Sequence, residues 1–186
     1  MNVKDPSPHI AHGEACRASG DLDGALDAFA QAVAAAPSSA HAHNKLGTVY
    51  VDLQRWDDAF TEFSKATQLD PRYAPAQSNL GNVYRERGRL DEAVACYQRA
   101  IALDPDYWVA HQNLGVVYKQ QGRIGDAVRE FKSATRLSLR APARSEPWAG
   151  ARGAGARGAG ARRAGCLGSG GAMFILVMAL VAVARR

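Results

Sequence analysis

The residues of this 186-residue chain best equipped to ligate a metal or act as a nucleophile are five histidines and three cysteines. His9 and His12 stand at i, i+3, and His41 and His43 at i, i+2; these spacings bring two imidazoles near one another but supply only part of a zinc ligand set. No cysteine or carboxylate cluster completes either pair. Cys16, Cys96 and Cys166 are odd in number and far apart, with no CxxC motif, and read as reduced packing residues in a cytosolic setting. A phosphate-cradling Walker loop, a nucleophile elbow and a zinc-protease HExxH are all missing from the sequence. The chemistry-bearing residues therefore point away from catalysis. No catalytic residue, metal site or cofactor is expected.

Charge sharpens that reading. The formal net charge of +5 invites a nucleic-acid partner until it is divided along the chain. Residues 1–140 carry 16 Lys and Arg against 17 Asp and Glu, net −1, while residues 141–186 carry seven Arg against Glu146, net +6. The basicity belongs to the tail. At the other end, MNVKDPSPHI lacks the apolar run of a secretory signal, so the body is expected to be cytoplasmic.

The elements that must position any site are set by a repeat of 34 residues. Proline recurs at Pro37, Pro71 and Pro105, and a Leu-Gly step at Leu46-Gly47, Leu80-Gly81 and Leu114-Gly115, with Tyr50, Tyr84 and Tyr118 three residues after each glycine. Ala25, Ala59, Ala93 and Ala127 are each followed four residues later by an aromatic, Phe29, Phe63, Tyr97 and Phe131, and then by Ala32, Ala66, Ala100 and Ala134. Leu, Gly and Tyr at i, i+1 and i+4 make a helix face with a gap into which a neighbouring helix can press. Ala, aromatic and Ala at i, i+4 and i+7 make the face that fills it. Gly20, Gly88 and Gly122 mark the ends of the first helices, because glycine accepts a left-handed cap; Gln54 stands in that place in the second unit and should make a less comfortable one. Proline stops each second helix.

These motifs resemble the tetratricopeptide repeat family over residues 6–139, with units at 6–39, 40–73, 74–107 and 108–139. The resemblance implies an all-α fold, an α-solenoid of four helix-turn-helix repeats. The first unit departs from the pattern, with His12 in the leucine place and Cys16 in the tyrosine place, and the fourth has Leu139 where proline is expected. Worn end units are usual in stacked arrays, where one side meets water. His9, His43 and His111 share the fourth place of their units, a packing position, and so are expected to be structural.

The resemblance also implies a concave surface, lined by the first helices, that binds a protein or peptide. Carried over residue by residue, its peptide-binding places hold Asn44, Lys45, Asn79, Asn82, Arg85, Gln112, Asn113 and Lys119. Asn79 and Asn113 resemble the asparagine ladder in the repeat arrays of O-linked N-acetylglucosamine transferases, whose amides can donate to and accept from a peptide backbone. Arg17, Arg85 and Lys119 at one recurrent place, with Lys45 nearby, would favour an acidic peptide. The carboxylate clamp of chaperone-binding members is not matched: its places hold Ile10, Glu14, Lys45, Pro75 and Asn79, or Asn44, Thr48, Asn79, Val109 and Asn113, and only Asn79 agrees.

Beyond the repeats, residues 141–164 are rich in Gly, Ala and Arg and read as a flexible linker. Residues 172–184 form an unbroken apolar run, AMFILVMALVAVA, about 20 Å long as a helix; extended back to Gly165 it reaches 20 uncharged residues, enough to span a bilayer. Segment 165–184 therefore reads as a transmembrane helix, or as a helix that caps the last repeat. The expected function is a scaffold binding a partner protein in the groove, tethered to a membrane if the segment spans. The alternatives are a targeting arm of a glycosyltransferase-like complex, or RNA or anionic-lipid binding through the arginine-rich tail. The nucleic-acid reading is the weaker, because no aromatics interleave the arginines.

Overall fold

The computed structural model describes residues 5–140, and the linker at 141–164 and the segment at 165–184 lie outside the described residues. Eight helices follow in order: α1 (Ser7–Ser19), α2 (Leu22–Ala35), α3 (Ala40–Asp52), α4 (Trp56–Leu69), α5 (Ala74–Glu86), α6 (Leu90–Leu103), α7 (Trp108–Gln120) and α8 (Ile124–Arg140). No strand occurs among the described residues, and no helix there is long and apolar enough to cross a membrane.

Each hairpin closes because its first helix ends on a left-handed residue. Gly20, Gly88 and Gly122 have φ of 85°, 73° and 76°, and Gln54 takes the same conformation at φ 59°. The residue after each then donates its N–H to the carbonyl five residues back: Asp21 to Cys16, Arg55 to Tyr50, Arg89 to Tyr84 and Arg123 to Tyr118. That pattern satisfies carbonyls the helix end would otherwise leave bare. In units two to four the same arginine lies over the tyrosine ring, 4.7, 4.8 and 4.1 Å from the centroid for Arg55, Arg89 and Arg123. Its Nε donates to Asp58, Glu92 or Asp126 in the first turn of the next helix. In the first unit, with Cys16 in the tyrosine place, Asp21 caps α2 instead by accepting from the Gly24 N–H at 2.9 Å.

Inside each hairpin the aromatic of the second helix presses its edge onto a glycine of the first. A Cβ on Gly13, Gly47, Gly81 or Gly115 would stand 2.8, 2.6, 2.8 or 2.8 Å from the ring of Phe29, Phe63, Tyr97 or Phe131. The first unit thus keeps the glycine although it has lost the leucine and tyrosine around it. Phe29, Phe63 and Tyr97 are buried with their flanking alanines, which hold the helix axes close.

The second helices end where proline dictates. α2, α4 and α6 stop two residues before Pro37, Pro71 and Pro105, whereas α8, with Leu139 in the proline place, runs on to Arg140 and reaches 17 residues against 14. Successive hairpins stack through α2 on α3, α4 on α5 and α6 on α7. The odd helices also touch one another, α1 with α3, α3 with α5 and α5 with α7, while no even helix touches another even one. A stack in which only the odd helices converge curves towards them. The odd helices therefore line the inner face of the solenoid.

Candidate functional site

The inner face is built on α1, α3, α5 and α7, which touch one another in succession. Asn79 on α5 is half-buried and donates its Nδ2 to the Asn44 Oδ1 on α3 at 2.9 Å. One repeat further on, Asn113 on α7, 9% exposed, donates its Nδ2 to the Asn82 Oδ1 on α5 at 3.1 Å. Both asparagines of the expected ladder are thus held by an amide of the preceding odd helix. Each keeps its own carbonyl oxygen and a second N–H beyond that bond.

Asn44 and Asn82 themselves are buried, and Asn82 is fully engaged at its oxygen. The Tyr97 hydroxyl donates to the same Oδ1 at 2.8 Å. Burial raises the Tyr97 phenol well above its usual range, so it remains a neutral donor. Tyr97 takes the place that Phe29, Phe63 and Phe131 hold in the other units, and Asn82 the place held by Glu14, Thr48 and Val116. The extra hydroxyl and the amide that receives it therefore occur together in one repeat. This bonding makes Asn82, like Asn44, a bracing group, and Asn82 alone of the two also accepts from a tyrosine hydroxyl.

The cations of the groove are mostly spoken for. Lys45 Nζ pairs with Glu14 Oε1 at 2.6 Å and Arg17 Nε with Asp52 Oδ2 at 2.5 Å, so two ion pairs cross from α1 to α3. Arg85 pairs with its neighbour Glu86 at 2.8 Å. Lys119 is exposed and carries no ion pair among the described residues, and Gln112 is exposed beside Asn113. The expectation of an acid-seeking groove is narrowed by these pairs: three of the four cations already have a carboxylate. The crossing pairs went unread in the sequence, although opposite charges 31 and 35 residues apart, close to the repeat length, are the signal that could have found them.

The Tyr73 hydroxyl and His41 Nδ1 lie at hydrogen-bond distance, 3.0 Å, the rings meeting edge-on at 6.1 Å. Burial and the nearby Lys45 push the His41 imidazole below its ordinary range, which favours its neutral form. Burial pushes the Tyr73 phenol up and the Tyr107 phenol up to about 12. The remaining histidines of interest are structural. His43 Nδ1 lies 2.6 Å from the Glu62 carboxylate and its Nε2 3.0 Å from the Pro37 carbonyl, and His111 repeats this with Glu130 at 2.7 Å and Pro105 at 3.3 Å. Each histidine ties the two helices of its hairpin to the proline turn before them. Among the described residues no cluster of three or more His, Cys, Asp or Glu is placed to hold a metal.

Four family models match the chain. Tetratricopeptide repeat models cover residues 10–74, 54–101 and 109–139, and a TPR repeat model covers 81–122. No curated protein matches the sequence. Among solved structures, MamA is similar at 25% identity with a TM-score of 0.63, covering 75% of this chain and 81% of that one. MamA of Desulfovibrio magneticus RS-1, at 24% identity and TM-score 0.62 over 73% of this chain and 77% of that one, shows the shared fold. PilF of Pseudomonas aeruginosa is similar at 28% identity and TM-score 0.67, covering 73% of this chain and 62% of that one. With its glycine-aromatic hairpins, its inner face of odd helices and family matches running from residue 10 to residue 139, the chain belongs to the tetratricopeptide repeat family, whose members serve as protein–protein interaction scaffolds.

Proposed function

We propose that this protein is an adaptor that grips an extended segment of a partner protein on the inner face of α5 and α7, reading mainly its backbone. The observation that carries the reading is the pair of braced amides, Asn79 on Asn44 and Asn113 on Asn82, repeated from one odd helix to the next. An amide already fixed by one hydrogen bond loses little freedom when a peptide arrives, and preorganisation of this kind favours affinity. The α1–α3 half of the groove is crossed by the Glu14–Lys45 and Arg17–Asp52 pairs. The α5–α7 half carries half-buried Asn79, exposed Gln112 and Lys119, and Asn113 with 9% of its surface open, a set suited to a peptide backbone carrying an acidic group at one end.

The test is peptide selection from a random library on the full chain, followed by titration of a selected peptide into wild type and into Asn79→Ala/Asn113→Ala. Two hydrogen bonds at about 1 kcal/mol each predict roughly a 30-fold loss of affinity with helical content unchanged. Equal affinity in the variant would remove the ladder from the mechanism.

We further propose that the uncharged segment 165–184 tethers these repeats to a membrane, with the repeats on the cytoplasmic side, where Arg152, Arg157, Arg162 and Arg163 outnumber Arg185 and Arg186. Fractionation of the full chain beside one ending at Arg140 tests it: the tether requires the full chain to sediment with membranes through a high-salt wash and the shorter one to stay soluble.

A further inference from the structure

The two ends of the array differ in a way the groove does not use. On α2, α4 and α6 the residues at the places of Ile124 and Val128 are Leu22 and Leu26, Trp56 and Phe60, Leu90 and Val94. Where the next odd helix follows, Leu90 and Val94 pack against the cluster that holds Leu114, Val117 and Tyr118 of α7, Leu26 packs against the cluster that holds Leu46 and Val49 of α3, and the Phe60 ring meets Tyr84 of α5 edge-on at 5.6 Å. α8 keeps the same apolar face, yet Ile124 is 57% and Val128 44% exposed, with Leu139 80% exposed further along the helix. A terminal repeat that had been fitted to water would be polar there.

At the opposite end, α1 presents His12, Ala15, Cys16 and Ser19 at the places where α3 presents Leu46, Val49, Tyr50 and Leu53 to α2. Three of those four are exposed, and none is bulky and apolar. With Ala15, Cys16 and Ser19 small, this surface leaves room for side chains from another partner.

Charge follows the same polarity. The first unit, 6–39, carries Glu14, Asp21, Asp23 and Asp27 against Arg17, net −3, and the two middle units are −1 each. Residues 108–140 carry six Lys and Arg against Asp126 and Glu130, net +4. Both acids of that last unit are engaged, Asp126 by Arg123 and Arg129 and Glu130 by His111, which leaves Lys132, Arg136 and Arg140 exposed along α8 without a carboxylate among the described residues. The array is an electric dipole whose ends attract.

We propose that α8 of one molecule docks on α1 of a second copy, head to tail, in the register by which α2 packs on α3 within the chain. Ile124, Val128 and Phe131 then fill the small-residue face of His12, Ala15, Cys16 and Ser19, and the basic last unit lies next to the acidic first unit. Because the two surfaces are different, the contact is heterologous: each added copy exposes a fresh α8, and the product is open-ended. The inner faces of successive copies would form one longer groove.

Sedimentation of the full-length chain over a concentration series tests this. The wild type is expected to show a weight-average mass that climbs with concentration and falls back as salt is raised, since the ends attract through screened charge. Val128→Glu blocks α8 and Ala15→Arg blocks α1; each variant alone is expected to stay monomeric, while an equimolar mixture forms a discrete dimer, because one variant keeps α1 and the other keeps α8. Ile124→Glu and Ser19→Arg serve as replacements if either variant loses the wild-type melting curve. A wild type that remains monomeric throughout overturns the proposal. So does self-association of Ala15→Arg alone, which would mean that α8 pairs with another α8, and so does a mixture that fails to form the dimer.

Discussion

The edge of the Tyr97 ring fills the space that a side chain on Gly81 would need, with a Cβ there standing 2.8 Å from the ring Cε1. Three other hairpins repeat the arrangement. Gly81→Leu must therefore push α5 away from α6, and overpacking of this kind costs about 1–3 kcal/mol. Thermal or denaturant unfolding reads the loss directly. An unchanged midpoint would show that the two helices are not paired through this glycine.

A second prediction concerns the hydroxyl of the same ring. Tyr97→Phe strips the buried Asn82 oxygen of one of its two donors, and the loss is expected to be about 1 kcal/mol. The fourth unit solves the same packing with Phe131 and Val116, so Tyr97→Phe combined with Asn82→Val removes both polar partners at once. A double-mutant cycle should give less than the sum of the single losses. Strict additivity would place the two groups out of contact.

Gln54 supplies a stabilising mutation. It holds φ at 59° where the other three hairpins use glycine, and a residue with a Cβ pays about 1–2 kcal/mol for that region. Gln54→Gly relieves the strain and loses part of the gain to the greater freedom of the unfolded chain, leaving a net stabilisation of about 0.5–1 kcal/mol. A lower melting temperature in Gln54→Gly would contradict the strain.

Much of the fold was legible because the period repeats its physical causes. Gly20, Gly88 and Gly122 end helices, Pro37, Pro71 and Pro105 end the others, and the absence of proline at Leu139 lets α8 run longer. What the period hides is which side chains meet once the hairpins stack. Spacings of 31 and 35 residues put Lys45 near Glu14 and Arg17 near Asp52, but the pairs form only because α1 packs beside α3. Arg55, Arg89 and Arg123 recur at 34 residues as plainly as the tyrosines beneath them, but their role depends on the left-handed turn that folds each back over its ring. The expected groove residues all lie on α3, α5 and α7; their bonds to one another, above all those of Asn82, came only with the structure.

Cys96 on α6 offers a chemical check on that packing. Burial pushes its thiol up to about 11, so at pH 8 roughly one molecule in a thousand carries the thiolate that reacts. Alkylation followed by peptide mass mapping should leave Cys96 largely unmodified at pH 8 in the native protein and modify it fully in denaturant. Rapid native labelling would mean that α6 is not held against its neighbours as described.

The central claim is that the inner face of α5 and α7 reads a peptide backbone through Asn79 and Asn113. Calorimetric titration of a library-selected peptide, with each backbone amide methylated in turn and each side chain in turn replaced by alanine, tests it most directly. Methylation at the amides opposite the two asparagines is predicted to weaken binding about fivefold per lost hydrogen bond, with most alanine replacements nearly neutral. Methylated peptides that bind as tightly as their parent, with affinity lost instead on removing particular side chains, would contradict it.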